Sequence, residues 1–238
     1  MSKVIIFTGA GISAQSGIST FRDSGGLWEQ YRIEDICTAG CLETNRQETI
    51  EFYDKRREDI KDKKPNYAHK QIKLLQDKYP NSIKLITQNV DDMFEKAGCV
   101  DVLHLHGFLK NVVCPKCGYK HNIGYSSLKS FQENCPRCNC LLRPDIVFFG
   151  ESAPKYIELY RYLESCELLV IIGTSGYVID VNHLSSYATK TILNNLEPSD
   201  AIDEKKISKV IYKKATDAID EIVCDIDNFL KGNLETLV

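Results

Sequence analysis

The chain has no long hydrophobic run. Its first apolar stretch, residues 4–7, is far short of the roughly 20 residues that a membrane-spanning helix needs, and short too for the core of an export signal. The expectation is a protein that stays in the cytoplasm and has no membrane partner. Positive charge is not in excess either: 30 Lys and Arg stand against 33 Asp and Glu, a net charge of −3. That balance exerts no general pull on nucleic acid or on an anionic lipid surface, so direct nucleic-acid binding is not expected. Internal repeats and low-complexity tracts are also absent.

What is present is an ordinary globular composition over 238 residues, enough for one sizeable core with a smaller unit attached. Short runs rich in Val, Ile and Leu recur at 4–7, 83–86, 102–105, 168–172, 191–193 and 209–212. They lack the alternation of a half-exposed strand, which suits strands buried on both faces of a parallel sheet. Segments with helical spacing, such as 67–79 and 156–165, lie between them. Strands alternating with helices predict an α/β fold with a doubly wound, Rossmann-like parallel sheet. Two segments break the pattern: 33–80 is charged and helix-prone, and 110–142 carries paired cysteines. The predicted organisation is a Rossmann-like domain from 1–32, 81–109 and 143–238, with 33–80 and 110–142 inserted as a smaller helical and zinc-binding unit.

Of ten cysteines, six (Cys37, Cys41, Cys99, Cys140, Cys166 and Cys224) are scattered as reduced thiols would be. The other four form Cys114-Pro115-Lys116-Cys117 and Cys135-Pro136-Arg137-Cys138, a C-x2-C-x17-C-x2-C pattern with zinc-ribbon spacing. Four thiolates close a tetrahedral shell and leave no position for water, so one structural zinc ion with no part in the chemistry is expected.

Gly9-Ala10-Gly11-Ile12-Ser13-Ala14 follows the first run directly and reads G-x-G-x-x-A, the dinucleotide fingerprint. Its glycines suit a tight turn and close approach to a pyrophosphate at a helix N-terminus. The acidic residue expected about 20 positions later has no clear candidate, and 15–30 reads as a long loop rather than a plain helix and strand. A simple dehydrogenase is thereby less attractive. Gly173-Thr174-Ser175-Gly176 and Asn194-Asn195-Leu196-Glu197 also fall at strand ends, where open α/β sheets bind ligands, and are candidates for adenosine contacts. Thr87-Gln88-Asn89-Val90-Asp91 and His104-Leu105-His106-Gly107 occupy equivalent positions, which makes His106 the candidate catalytic histidine.

Taken together these segments resemble the sirtuins. The resemblance rests on Gly9 to Ser13, Ser16-Gly17-Ile18-Ser19-Thr20-Phe21-Arg22, Thr87 to Asp91, Leu105-His106-Gly107, the four paired cysteines, Arg143-Pro144-Asp145-Ile146-Val147-Phe148-Phe149-Gly150-Glu151 and Gly173-Thr174-Ser175. These occur in family order over nearly the whole chain. The resemblance implies an enzyme that consumes NAD as co-substrate to remove acyl groups from protein lysines, giving nicotinamide, O-acyl-ADP-ribose and free lysine. It implies that the Gly9–Ala10–Gly11–Ile12 turn, Gly173, Thr174, Ser175, Asn195, Leu196, Glu197 and Ala215 hold the dinucleotide. It gives Gln88 and Asn89 the ribose, Asp91 the nicotinamide amide together with Ile12, Phe21 a capping role and Arg22 the ordering of the cofactor loop. His106 is implied as general base, with Asn89 beside it. In the family's mechanism the acyl oxygen first attacks the nicotinamide ribose, and the base then takes a proton from a ribose hydroxyl. Val147, Phe148 and Gly150 are implied to pair with the substrate backbone as an added strand.

Tyr53 and Arg56 sit three apart on a predicted helix and so share a face. They resemble the Tyr-x-x-Arg pair of sirtuins that remove succinyl, malonyl or glutaryl groups, where a guanidinium fork matches a carboxylate. Cys37 lies where those enzymes keep a small residue. The bland alternative is a solvated helix face, since 54–64 is nearly all charged. Residues 176–183 and 213–216 depart from the family pattern and bear on the adenosine side. The rival functions are an NAD-dependent protein ADP-ribosyltransferase and a non-enzymatic NAD-sensing module.

Overall fold

The structure is a computed structural model that describes residues 3–19 and 31–232. The strands are β1 (Val4–Thr8), β2 (Ile83–Thr87), β3 (Leu103–His104), β4 (Gly107–Val113), β5 (Lys120–Asn122), β6 (Arg143–Ile146), β7 (Leu168–Ile172), β8 (Lys190–Asn195) and β9 (Lys209–Tyr212). The α-helices are α1 (Ile33–Ile36), α2 (Cys41–Thr44), α3 (Arg46–Lys61), α4 (Tyr67–Lys78), α5 (Met93–Lys96), α6 (Leu128–Phe131), α7 (Tyr156–Leu163), α8 (Val181–Ser185) and α9 (Ala215–Leu230).

Six strands form one sheet in the order β3-β2-β1-β7-β8-β9, parallel throughout. They are the six runs expected from the sequence. Successive side chains of one strand enter different cores, because the pleat sends neighbours to opposite faces. Val4 and Ile6 pack with Leu168, Val170, α4 and α9 on one face; Ile5 and Phe7 pack with Leu169, Ile171, α7 and α8 on the other. Burial on both sides is why the runs show no polar alternation. The chain leaves β1 toward β2 on one side and later returns to β7 on the other. The switch point therefore lies between β1 and β7, at their carboxyl ends.

Residues 33–61 form α1 to α3, as their helix-prone composition suggested. α3 is not a wholly solvated face: Thr49, Phe52, Tyr53, Arg57 and Ile60 are buried. Arg57 is fully enclosed, donates to the carbonyls of Ser126 at 3.1 Å and Leu109 at 3.2 Å, and pairs with Asp54. The Asp54 carboxylate also accepts from the Leu128 amide at 3.0 Å. α3 is thus stapled to the cysteine-bearing segment. That segment forms a second sheet, β5-β4-β6, with antiparallel pairs. By contrast α4, within 33–80, buries Ala68, Ile72 and Leu75 against the parallel sheet. Among the described residues no helix is long and apolar enough to cross a membrane.

The Asn66 side chain caps α4, accepting from Ala68 N at 3.0 Å and from His69 Nδ1 at 3.0 Å, and donates to the Ile12 carbonyl at 2.7 Å. His69 is fully buried against Phe94, and among the described residues its Nε2 has no partner. Burial pushes its pKa down to about 3. The unfolded chain takes up this proton near pH 6.5 while the native chain refuses it, so stability falls as pH drops below about 6.5. At pH 5 the loss amounts to about 2 kcal/mol, from about 1.4 kcal/mol per pH unit. Urea unfolding of His69→Leu is expected to show a shallower decline between neutral pH and pH 5; an unaltered decline would assign the acid sensitivity to other groups.

Candidate active site

The site is built at the carboxyl ends of β1, β2, β3, β7 and β8. The glycine turn after β1 is not the start of a regular α-helix, as its fingerprint suggested, but of a 3-10 helix, Ala10–Ser16, closed by Gly17 at φ +76°. Its amides are tied to the neighbouring turn: Gly9 N donates to Ile172 O and Gly11 N to Gly173 O, each at 2.9 Å. The two turns touch backbone to backbone. A Cβ on Gly9 would lie 2.6 Å from Gly173 O, and one on Gly11 2.7 Å from Gly173 Cα. Gly9 itself has an extended backbone, φ −118°, so closeness rather than turn geometry demands the glycine there.

Side chains lock the next layer. Thr8 Oγ1 donates to Thr87 Oγ1 at 2.8 Å, and Thr87 Oγ1 accepts from Asn89 N at 3.0 Å. Asn89 Nδ2 donates to Ser13 Oγ at 3.1 Å, and Gln88 Nε2 to Thr174 Oγ1 at 2.9 Å. Asn195 Nδ2 reaches Thr174 O at 2.8 Å, and Asn194 Nδ2 binds the carbonyls of Ile211 and Lys213 at 3.0 Å. Asp91 is buried, accepts from Met93 N at 3.0 Å, and has its pKa raised by burial.

His106 follows β3 and precedes Gly107, whose φ is +96°. A Cβ at Gly107 would lie 1.9 Å from Asp145 O, so glycine is obligatory where β4 starts against β6. Val147 N donates to His106 O at 3.0 Å and binds this junction. The imidazole Nδ1 lies 3.1 Å from Gln88 O. A carbonyl only accepts, so Nδ1 carries the proton and Nε2 keeps its lone pair. Nε2 lies 2.9 Å from the Tyr156 hydroxyl. Burial lowers the His106 pKa, opposed by the Gln88 carbonyl, so the neutral ring prevails at neutral pH.

The two glycine turns, Gln88, Asn89, Asp91, His106 and Tyr156 line one cavity of about 770 Å³. At one end are Gly9, Ala10, Gly11, Gly173, Thr174 and Ser175, with Asn195, Leu196, Glu197 and Ala215. At the middle are Gln88, Asn89, Asp91 and His106, and at the far end Cys37, Tyr53, Arg56, Val147, Phe148 and Gly150. Of the expected cofactor contacts, Ile12 is buried beside the turn, next to Asn66, rather than on the cavity wall. Phe21 and Arg22 lie outside the described residues. Tyr53 stacks on Phe148 with centroids 5.6 Å apart, and its hydroxyl lies 3.2 Å from Cys37 Sγ. Burial raises both pKa values, Cys37 to about 11, so the thiol and the phenol stay neutral at neutral pH. Sequence reasoning missed Tyr156, which it placed only in a helix, and Asn66, which carries no local signal beyond a capping position. Lys213 and Lys214, noted as departures from the family pattern, also line the cavity.

The four sulfurs of Cys114, Cys117, Cys135 and Cys138 lie within 4.8 Å of one another. The pairs Cys114–Cys138 and Cys117–Cys135 are 3.4 Å and 3.5 Å apart. A zinc–sulfur bond of about 2.3 Å gives tetrahedral sulfur–sulfur edges of about 3.8 Å, so the cluster fits one zinc ion. Cys140 supplies a carbonyl to Cys135 N at 2.8 Å and is not part of the cluster.

A doubly wound sheet with glycine turns packed at its switch point, a neutral histidine in the same cleft and a four-thiolate cluster on an inserted sheet define a dinucleotide-binding protein with a structural metal site. The Sir2 family model matches residues 9–180. An NAD-dependent protein deacylase of Campylobacter jejuni strain RM1221 is 44% identical over 236 residues, covering 98% of this chain and 100% of its own. The NAD-dependent protein deacylase of Escherichia coli K12 is 34% identical, over 97% of this chain and 83% of its own. A crystal structure of a Sir2 homolog–NAD complex superposes with a TM-score of 0.82 at 32% identity, covering 96% of this chain and 91% of that one. The chain belongs to the Sir2 family.

Proposed function

We propose that this chain is an NAD-dependent protein-lysine deacylase. The observation that carries the reading is the neutral His106, its Nε2 lone pair lining the same cleft as the two packed glycine turns. The cavity volume suits a dinucleotide with an acyl-lysine at its far end. Gly9, Ala10, Gly11, Gly173, Thr174 and Ser175 present a backbone surface to the phosphates and adenosine, with Asn195, Leu196, Glu197 and Ala215 at its rim. Gln88 and Asn89, held by Thr174 and Ser13, orient the ribose. Asp91 receives the nicotinamide amide, with Ile12 shaping the turn behind it. His106 Nε2 accepts the proton of the ribose hydroxyl that attacks the acyl carbon. Val147, Phe148 and Gly150 offer an edge to the substrate backbone, so the partner is an acylated lysine in an extended segment of another protein. The division of labour follows the two sheets: the parallel sheet with α4 and α9 holds the dinucleotide, and α1 to α3 with β4, β5 and β6 form the smaller unit. Zinc, held by Cys114, Cys117, Cys135 and Cys138, supplies cross-linking to that unit and no chemistry.

The test is incubation of the purified protein with NAD and a panel of acyl-lysine peptides. Appearance of nicotinamide, O-acyl-ADP-ribose and free lysine supports the reading; ADP-ribose attached to the protein target defeats it. Within the panel, Tyr53 and Arg56 favour an acyl chain ending in a carboxylate, since both line the cavity and a guanidinium fork matches a carboxylate while the phenol adds a hydroxyl. Arg56→Met is expected to lower kcat/KM for succinyl peptides by about 10- to 100-fold, the value of a charged hydrogen bond, and to change acetyl turnover far less. Equal effects on both peptides would remove Arg56 from acyl recognition.

A further inference from the structure

We propose that Tyr156 is the positioning residue of His106, its phenol hydroxyl donating to Nε2 in the free protein and fixing the ring in the Nδ1–H tautomer with the basic nitrogen toward the cleft. The assignment follows from the two contacts together. Gln88 O forces the proton onto Nδ1, and a hydroxyl 2.9 Å from the remaining lone pair then donates to it. Among the described residues the Tyr156 hydroxyl has no other hydrogen-bond partner. Were Nε2 protonated, the phenol would have to turn its own proton away from its acceptor. The contact therefore favours the neutral ring, in the same direction as burial. Burial also raises the phenol pKa, which keeps Tyr156 a donor at neutral pH.

The geometry is held from both sides. The rings meet at 42° with centroids 6.0 Å apart, so the link is a hydrogen bond at the ring edge and not a stack. Tyr156 opens α7, which Leu159 and Leu163 anchor in the core. The residue before it, Lys155, donates to His104 O at 2.9 Å and ties the same turn to β3. The titratable groups on the surrounding elements are His104 on β3, Asp91 after β2, Asp145 on β6, Lys155 just before α7 and Arg56 on α3. A Tyr156→Phe change alters none of them, so a shift in His106 titration in that variant reports the hydroxyl itself.

The role in turnover rests on the deacylase reading; the contact does not. The phenol occupies the lone pair that a sugar hydroxyl must reach, so it serves as a stand-in which the substrate displaces. It orders the base and is not consumed.

The experiment is a pH titration of the imidazole nitrogens by 15N NMR in free wild-type and Tyr156→Phe protein, with His106 assigned by its loss in His106→Ala. In the wild type Nδ1 is expected protonated and Nε2 bare. In Tyr156→Phe the His106 pKa is expected to rise by about half to one unit, the value of one net hydrogen bond. The acid limb of kcat/KM is expected to move up with it, while the alkaline plateau of kcat falls less than about tenfold, below the range for loss of a general base. An unmoved or lowered His106 pKa, or a wild-type ring protonated at Nε2, overturns the proposal. If Tyr156→Phe does not fold, the wild-type tautomer decides alone. If wild type shows no deacylation, the functional reading fails, yet the titration still tests the contact.

Discussion

Replacing His106 by alanine is expected to reduce kcat/KM for acyl-peptide by about 10²- to 10⁴-fold, the usual contribution of a positioned general base. The ring is well placed for this: Nδ1 is tied to Gln88 O, Nε2 is the unprotonated, basic nitrogen, and burial holds the pKa below its ordinary value. The sign of the pH dependence follows. Lowering the pKa keeps the base form populated, so kcat/KM rises with pH and levels off at an inflection below about 6.5. The substitution leaves the glycine turns, Gln88 and Asn89 in place, so NAD affinity should change little. In the order of steps that the family suggests, nicotinamide leaves before the base is needed. Exchange of labelled nicotinamide into NAD should therefore survive in His106→Ala when acyl-peptide is present. Loss of exchange together with deacylation would put His106 in the first step, and full activity in the variant would sink the base assignment.

The parallel sheet was legible because its strands are buried on both sides, which leaves apolar runs without alternation. β7 matches its run residue for residue, 168–172. β8 is longer than its run, since Lys190, Asn194 and Asn195 are polar members of a buried strand. Asn194 tolerates this by donating to two carbonyls across β9. The cysteine spacing was legible because two C-x2-C turns bring thiolates together with little help from the rest of the chain. Long-range pairings left no such trace. Arg57 sits in a run of charges that reads as a solvated face, yet it is enclosed because three partners, Asp54, Leu109 and Ser126, satisfy its guanidinium. Tyr156 lies 50 positions from His106 and meets it only through the placement of α7 on the sheet. Even the glycine fingerprint was right in place and incomplete in reason. Gly9 and Gly11 are needed for contact with Gly173, a residue on another strand's turn.

Zinc removal is expected to abolish activity although the ion touches no reacting atom. The core of the cysteine-bearing sheet is small: Val112, Ile123, Leu128 and Leu142, with Cys114 and Cys135 themselves buried among them. So few apolar groups supply little driving force once the cross-link is lost, whereas structural zinc contributes an apparent 10–16 kcal/mol or so in peptides of this type. The consequence reaches the cleft along the strands. β4 and β6 run from the cysteines to Gly107 and Ile146, which pair directly beside His106 and Val147. Fraying of that pair releases His106 O from Val147 N and lets the imidazole and the segment from Val147 to Gly150 drift together. One zinc per chain is therefore expected by elemental analysis. Cys135→Ser is expected to weaken metal binding by more than about 10²-fold, beyond the loss typical of changes one layer outside the ligands. Activity should fall in step with metal content during chelation, and amide exchange should rise first in β4 and β6 while β1 and β7 stay protected. Full activity in metal-free protein with β4 and β6 still protected would show that this sheet stands without its ion.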